Sequence, residues 1–288
     1  MNAQTIGLIA VSFLASNCTA IGDDRCIDLE GQSNFRDIGG YQTKDGKSVK
    51  SGIVFRSGRM PKLTDDDVAK LEQLGIKTVV NFLTPDEIED TGPNRLPNGA
   101  KEMITPIESD GGLAGLVLEA RKNADFSKLP PDINPNIHRL LVKDAREQYA
   151  TLLREIATTE EPIVFHCSHG IHRTGTATAI LLWSLGVPWE TVRQDYLLSN
   201  TCRKHEVDQR LAYFRNLVAE KHGVAPDQVD MTNFNAFYIL KGSYIDASRD
   251  EILKEYGGIQ QYLTKGLEMS EAEIQQLRDR LIESPTGN

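Results

Sequence analysis

The stretch IVFHCSHGIHRTGTATAILLWSLG, residues 163–186, decides the fold of this chain. Residues 163–166 are β-branched or aromatic up to a histidine, which predicts a short buried strand. Residues 174–185 are apolar on nearly every face of a helix, and Gly186 ends that helix. Residues 167–173 then form a short loop from strand to helix, an arrangement that is typical of α/β proteins.

Strands and helices also alternate outside this stretch. Thr64 is a predicted helix N-cap because three aspartates follow it, and carboxylates favour a helix N-terminus. Ser270 and Glu273 form a predicted capping box for the last helix. We expect extended segments at residues 53–56, 76–83 and 104–107, and helices at 64–75, 113–122 and 144–157. The predicted fold is α/β, with a central, mainly parallel sheet flanked by helices and a helical C-terminal extension.

Composition excludes several classes of protein. The 288 residues carry 32 Lys and Arg against 41 Asp and Glu, a formal charge of −9, and 40% of them are hydrophobic. This is the composition of a soluble globular protein and not of a disordered, collagen-like or disulfide-rich chain. We expect no nucleic-acid partner, because phosphate neutralisation needs a cationic surface. A phosphorylated ligand would have to be held by a local site.

The N-terminus differs from the rest of the chain. Residues 1–22 carry no charged side chain, and the apolar residues 6–15 are too few to span a bilayer but suit the core of a secretory signal. Cleavage after Ala20 and lipid modification of Cys18 are alternative fates, and a buried N-terminal element is a third interpretation. We predict a signal peptide over residues 1–20 and an exported protein, periplasmic or secreted, that is membrane-attached only as a lipoprotein.

The remaining cysteines fit export. Cys26 and Cys202 could pair in an oxidising compartment or remain two unrelated thiols, whereas Cys167 opens the loop after the strand.

This loop is suited to holding an anion, since its amides and the following helix N-terminus converge on one point. Such a setting stabilises the thiolate of Cys167. Arg173 can bind two oxygens of a phosphate at the same point, and Thr174 can donate its hydroxyl to the sulfur. Gly170 permits a backbone conformation that a Cβ would oppose. The predicted phosphate-binding residues are Ser168, His169, Gly170, Ile171, His172 and Arg173.

The pattern Cys-x5-Arg-Thr-Gly, with a histidine before the cysteine, resembles the phosphate loop of the cysteine-dependent protein tyrosine phosphatases. Residues 34–41 (NFRDIGGY), 195–200 (DYLLSN) and 257–263 (GGIQQYL) resemble segments of a bacterial subfamily of tyrosine and lipid phosphatases. The resemblance extends over residues 34–283. It implies a central, mainly parallel sheet with the phosphate loop at the C-terminal end of a strand.

The resemblance also implies a domain organisation and an activity. A single catalytic domain would cover residues 21–285, with a helical cap at 203–285. Independently of the resemblance, the Gly-Gly, Pro-Pro and Asn-Pro pairs within residues 111–137 predict a surface insertion or lid there. The implied reaction is phosphomonoester hydrolysis through a phosphocysteine intermediate, without a cofactor. The substrate would be a phosphorylated protein or a small phosphomonoester, and the enzyme a protein tyrosine phosphatase with dual specificity.

One departure from the subfamily keeps alternatives open. Many members carry Lys-Asp before the loop arginine, where this chain has Ile171 and His172. The missing lysine disfavours a phosphoinositide or inositol-phosphate phosphatase. The loop also resembles that of atypical dual-specificity phosphatases of plants and fungi, which keeps this alternative open. A non-catalytic phosphate-binding relative or a sulfurtransferase is a further alternative, which the retained Cys167, Arg173 and Thr174 disfavour.

The general acid is the least determined residue. Relatives place an aspartate after the strand that precedes the cysteine-bearing strand, which points to Asp110 here. Asp86, after the predicted strand 76–83, is the second candidate, and His172 is the third. Loop solvation is the alternative role for both aspartates. The predicted catalytic residues are therefore Cys167, Arg173, Thr174 and Asp110.

Two further groups of residues could contribute to the site. Arg36 and Arg56 either line the site or pair with carboxylates. Histidine and cysteine are both metal ligands, so a cluster of His166, His169 and His172 could bind an ion. The permanent charge of Arg173 at the same place disfavours this, and we predict no metal.

Overall fold

The computed structural model describes residues 25–108 and 113–284. The predicted signal peptide, the lipidation candidate Cys18 and the acid candidate Asp110 lie outside the described residues.

One five-stranded sheet organises the fold. Its central strand, Ile163–His166, is the strand predicted immediately before the phosphate loop. Across the sheet the strands are β1 (Arg36–Asp37), β3 (Val54–Ser57), β6 (Ile163–His166), β4 (Thr78–Asn81) and β5 (Lys101–Ile104). All neighbours pair in parallel except β1 with β3, which confirms the predicted mainly parallel sheet. A small antiparallel sheet joins β2 (Ser48–Val49) to β7 (Ile282–Glu283).

Helices surround this sheet and form most of the C-terminal half. They are α1 (Asp65–Gln73), α2 (Pro85–Thr91), α3 (Leu113–Lys122), α4 (Ile133–Asp144), α5 (Arg146–Thr158), α6 (Arg173–Ser184), α7 (Trp189–Cys202), α8 (Lys204–His222), α9 (Thr232–Tyr238), α10 (Gly242–Tyr256), α11 (Ile259–Gln261) and α12 (Glu271–Leu281). Both predicted helix starts at Thr64 and Ser270 are confirmed as capping boxes. No helix in the two described ranges is long and apolar enough to cross a membrane.

Side chains that alternate along the strands point into two separate hydrophobic cores, one on each face of the sheet. Val164 of β6 packs with Phe55 and Leu71 on the face covered by α1. Ile163 and Phe165 point into the larger core on the opposite face. Because both faces of β6 are covered, all its residues are buried and the loop that follows it starts from a fixed point.

Two predicted segments differ from the structure. The extended segment expected at 104–107 is instead β5 at Lys101–Ile104, a half-exposed edge strand that ends before Pro106, which lacks a backbone N–H. Parts of the segment predicted as a surface insertion, 111–137, contribute to the core. Phe126 is buried against Phe214 of α8 and Phe234 of α9, and Ile133 is buried at the start of α4, which packs against α10.

A disulfide ties the start of the described chain to the helical half. Cys26 and Cys202 are bonded, with their Cα atoms 5.5 Å apart and a sequence separation of 176 residues. Cys202 is the last residue of α7, so the bond fixes this helix end against the segment before β1.

Breaking this disulfide should destabilise the fold. Cys202→Ser removes a cross-link that restricts the unfolded chain, so we expect the free energy of unfolding to fall by about 2–5 kcal/mol in urea titration. Cys26→Ser should cause the same loss, and dithiothreitol should lower the stability of the wild type but not of either variant. Unequal losses in the two variants would contradict a single shared bond.

Candidate active site

The predicted phosphate loop lies between β6 and the N-terminus of α6, at the C-terminal edge of the parallel strands. Cys167 follows β6 directly and is 3% exposed, and it is the free cysteine of the described residues. Arg173 is the first residue of α6. The loop therefore places a thiol and a guanidinium at one end of the sheet, together with the positive end of a helix dipole.

Side chains outside the loop hold its shape. Gly170 has a φ of +67°, and a Cβ there would lie 2.5 Å from the Ser57 carbonyl oxygen. The Asn34 amide donates to the carbonyls of His169 and Gly170 at 3.0 and 3.1 Å, and Arg56 Nη2 donates to the Gly170 carbonyl at 2.7 Å. The requirement for glycine predicted at this position is confirmed.

The loop environment favours the thiolate of Cys167. Burial alone raises the pKa of this thiol, but the Arg173 charge, the Thr174 hydroxyl and the backbone N–H groups of Thr174 and Gly170 outweigh it, so the net pKa is lowered. The buried Thr174 hydroxyl has no oxygen or nitrogen partner among the described residues and can donate to the sulfur. The arrangement predicted for these groups is thus present.

Glu87 orients Arg173. Its carboxylate accepts two hydrogen bonds from Nη1 and Nη2 of Arg173, each of 2.6 Å. Arg173 Nη1 also donates to the carbonyl oxygens of Phe82 and Ile107 at 3.1 and 3.3 Å. Burial raises the pKa of Glu87, but Arg173 and the Thr84 cap outweigh this and the net pKa is lowered, so Glu87 is ionised at neutral pH.

A cavity of about 440 Å³ opens above the loop. Charged and polar residues line one part of it, and apolar residues line the rest. Its polar lining includes Arg59, Thr84, Glu87, Asp90, Glu108, Ser168, His169, His172, Arg173 and Arg203. Its apolar lining includes Leu83, Ile107, Val117, Ile137, Leu141, Ile171, Phe237 and Tyr238. The size suits an aromatic or sugar-sized group with one anion at the loop.

The histidines of the loop have separate surroundings. His166 is fully buried, its Nε2 lies 2.8 Å from the Asn94 amide, and burial lowers its pKa to about 4, so it is neutral. His172 Nε2 lies 2.7 Å from Asn134 Oδ1 at the cavity wall. Within residues 25–108 and 113–284, no three His, Cys, Asp or Glu side chains are grouped so that they could hold a metal ion.

The other predicted residues have different positions. Asp86 is exposed on α2 and is not part of the cavity lining. Ile107 and Glu108, which precede the acid candidate Asp110 in sequence, do line the cavity. Arg36 and Arg56 do not line the cavity. Both are fully buried and pair with Asp195, at 3.1 and 2.6 Å.

Sequence reasoning missed Glu87, Asn34, Arg59 and Arg203. Glu87 had a usable signal, because Thr84 and Glu87 form a capping box directly after a buried strand. A helix that starts there places its first turn at the same sheet edge as the phosphate loop. For Asn34, Arg59 and Arg203 the local sequence offers no comparable signal, since their partners are distant in the chain.

A model of the tyrosine phosphatase family matches residues 27–283, and the chain belongs to this family. The resemblance found in the sequence is thus confirmed, and the protein is a phosphatase of the cysteine-dependent type that acts on a phosphorylated substrate.

A provisionally named tyrosine-protein phosphatase of Cupriavidus necator is 29% identical over 244 residues, 84% of each chain. The triple specificity protein phosphatase PtpB of Mycobacterium tuberculosis is 25% identical over 281 residues, 88% of this chain and 98% of that one. The crystal structure of TpbA from P. aeruginosa is 17% identical with a TM-score of 0.32, over 66% of this chain and 90% of that one.

Loss of the Glu87 charge should release Arg173 from its bound orientation. We expect Glu87→Gln to lower kcat/KM for p-nitrophenyl phosphate by about 10- to 100-fold, since hydrogen bonds between charged groups contribute about 1.5–3 kcal/mol. The control is Glu89→Gln on the exposed side of the same helix, which should leave kcat/KM unchanged. Equal effects of the two substitutions would argue against a positioning role for Glu87.

Proposed function

We propose that this phosphatase hydrolyses phosphotyrosine in proteins with Cys167 as its nucleophile, and that it also accepts phosphoserine or phosphothreonine. The observation that carries the proposal is the buried Cys167 thiol, whose pKa is lowered at the base of an anion-binding loop and beside Arg173. The names of the relatives, which include a triple specificity protein phosphatase, support the substrate range.

The reaction proceeds in two displacements. The Cys167 thiolate attacks phosphorus, an S–P bond forms, and the P–O ester bond breaks as the leaving oxygen takes a proton from a general acid. Water then attacks phosphorus and gives a proton to the conjugate base of the general acid, while the S–P bond breaks, which releases phosphate and returns the sulfur as thiolate. Arg173 and the loop amides stabilise charge on the equatorial oxygens in both steps, and Thr174 stabilises the departing thiolate.

The loop residues divide this work between backbone and side chains. Backbone amides of Ser168, His169, Gly170, Ile171 and His172 surround the phosphate, and the Arg173 guanidinium closes the ring. The apolar walls, such as Ile137, Leu141 and Phe237, would contact the phenyl ring of phosphotyrosine.

Asp110 remains the proposed general acid. Support comes from its neighbours in sequence, because Ile107 and Glu108 line the cavity. Glu87, which also lines the cavity, is unsuited to donating a proton, since its ion pair with Arg173 keeps it ionised.

We also propose that the protein is exported through a signal peptide at residues 1–20. The disulfide between Cys26 and Cys202 supports an oxidising compartment. N-terminal sequencing of the mature protein tests this, and an intact Met1 in cells would contradict it.

The nucleophile and the arginine can be tested separately. Cys167→Ser should reduce turnover of p-nitrophenyl phosphate below detection while the fold is retained, because serine has no accessible anion near neutral pH. Arg173→Lys should lower kcat by about 10²–10³-fold, since an ammonium group does not reproduce the bidentate fork. Arg215→Lys, at an exposed position of α8, is the matched control. Appreciable activity in Cys167→Ser would contradict the assigned nucleophile.

The general acid should matter most for poor leaving groups. We expect Asp110→Asn to slow hydrolysis of a tyrosyl phosphate by about 10²–10⁴-fold and to slow an activated nitrophenyl ester less. The alkaline limb of the pH–rate profile should flatten, while the acidic limb, which reports Cys167 ionisation, persists below the usual thiol pKa.

Asp86→Asn provides the comparison for this test. If it flattens the alkaline limb and Asp110→Asn does not, the acid lies on α2. If neither substitution does, His172 is the next residue to replace, because it lines the same cavity.

A further inference from the structure

The histidine that precedes the catalytic cysteine has a different neighbour at each ring nitrogen. His166 is the last residue of β6 and is fully buried. Its Nε2 lies 2.8 Å from the amide nitrogen of Asn94, and its Nδ1 lies 3.2 Å from the backbone carbonyl oxygen of Cys167. A neutral imidazole carries one proton, so one ring nitrogen donates and the other accepts. The neighbours of the ring therefore decide which nitrogen is protonated.

Two hydrogen bonds fix the orientation of the Asn94 amide. Its Oδ1 accepts from the backbone N–H of Met60 at 2.8 Å, and its Nδ2 donates to Glu102 Oε1 at 2.7 Å. A reversed amide would break both hydrogen bonds and place Oδ1 against the carboxylate. Nδ2 therefore faces His166, and because an amide nitrogen only donates, Nε2 of His166 accepts.

The proton of His166 is consequently on Nδ1, which donates it to the Cys167 carbonyl. Burial is the main reason why the pKa of His166 is lowered to about 4, so the ring holds no second proton at neutral pH. In a planar trans peptide the carbonyl and the following N–H point in opposite directions. The hydrogen bond from His166 thus directs the N–H of Ser168 away from the histidine ring.

We propose that Asn94 is a positioning residue of the phosphatase, which selects the Nδ1-protonated form of His166 and thereby keeps the Ser168 amide directed at the phosphate. This inference rests on the proposed function and adds a residue to its machinery. Asn94 lies between α2 and β5 and is not among the described residues that line the cavity. It therefore acts through His166 and not by contact with the substrate.

The carboxylate behind Asn94 explains why an amide is needed at this position. Glu102 of β5 accepts from Asn81 of β4 at 2.9 Å as well as from Asn94. A carboxylate in contact with the ring would accept a proton from Nε2 and leave Nδ1 without one. Nδ2 of Asn94 has two N–H groups, so it can satisfy Glu102 with one and present the other to His166. The amide thus separates an acceptor from the histidine and offers it a donor.

The protonation of each ring nitrogen can be measured directly. In nitrogen–proton NMR spectra of protein labelled with the heavy nitrogen isotope in histidine, protonated and unprotonated ring nitrogens have different shifts. We expect wild-type His166 to carry its proton on Nδ1 at neutral pH. His166→Gln identifies the signals by their loss. A proton on Nε2 in the wild type would overturn the inference.

Asn94→Asp changes the atom that faces the ring from a donor to an acceptor and keeps an oxygen for the Met60 N–H. We expect Nε2 to be protonated in this variant and Nδ1 to lose its proton, because burial and the Arg173 charge oppose an imidazolium. The kcat/KM for p-nitrophenyl phosphate should fall by about 10- to 100-fold, the range found when a residue that orients a metal-binding histidine is removed. Asn98→Asp, at an exposed position of the same loop, is the matched control and should change neither the spectrum of His166 nor kcat/KM.

A double-mutant cycle tests whether Asn94 acts through the histidine. In a His166→Gln background, Asn94→Asp should cause no further loss of kcat/KM. An additive loss, or an unchanged His166 spectrum in Asn94→Asp, would overturn the inference. Should Asn94→Asp not fold, Asn94→Ala removes the same donor and is judged by the same two measurements.

These outcomes are distinct from a failure of the proposed function. If the wild type hydrolyses a phosphotyrosine peptide while His166 carries its proton on Nε2, this inference is wrong and the proposed function stands. If the wild type hydrolyses p-nitrophenyl phosphate but no phosphotyrosine peptide, the proposed function fails, and the spectrum and the cycle still decide the role of Asn94.

Discussion

The structure depends on one buried carboxylate, Asp195 of α7, and the two arginines that surround it. Asp195 accepts from Arg36 of β1 at 3.1 Å and from Arg56 of β3 at 2.6 Å, with all three side chains buried. Burial raises the pKa of Asp195, but the arginines outweigh this and lower it to about 2. The ion triad therefore contributes stability above the ordinary aspartate pKa and loses it as the pH falls toward 2. Loss of one partner would leave a buried charge uncompensated, at a cost of about 3–5 kcal/mol.

This triad also shapes the active site. Arg56 pairs with Asp195 through Nη1 and donates through Nη2 to the carbonyl of Gly170, so the same guanidinium joins the core to the phosphate loop. With Asn34 holding the same carbonyl, the loop is fixed from its outer side. Its amides are then free to face the sulfur, as their effect on the pKa of Cys167 indicates. Arg36 and Arg56, which the sequence suggests as possible site residues, therefore support the phosphate loop from behind and do not line the cavity.

Local sequence determined which parts could be predicted. The strand at 163–166, the helix N-caps at Thr64 and Ser270 and the phosphate loop each depend on neighbours within a few residues, and all were predicted from the sequence. Contacts between residues that are distant in the sequence could not be predicted in this way. Glu87 meets Arg173 over 86 residues of chain, and Asp195 meets Arg56 over 139. β5 was misplaced because an edge strand needs no continuous apolar run, so Lys101 and Glu102 gave no strand signal.

An acidic protein that binds a phosphate must supply a positive field locally, and this chain does so with few cations. Arg173 is already bound to Glu87 before substrate arrives, so its positive charge is partly neutralised. The fixed orientation of Arg173 offsets this partial neutralisation. A guanidinium held by a carboxylate and two backbone carbonyls loses little conformational freedom when the phosphate binds. The Arg173 charge remains the largest influence that lowers the pKa of Cys167, and the Thr174 hydroxyl and the loop amides add to it. The amides carry no counter-ion and keep their direction through both displacements. Attraction in this site therefore comes from one oriented guanidinium and from fixed dipoles, not from the net charge of the protein, which is why a chain of formal charge −9 can hold a dianion.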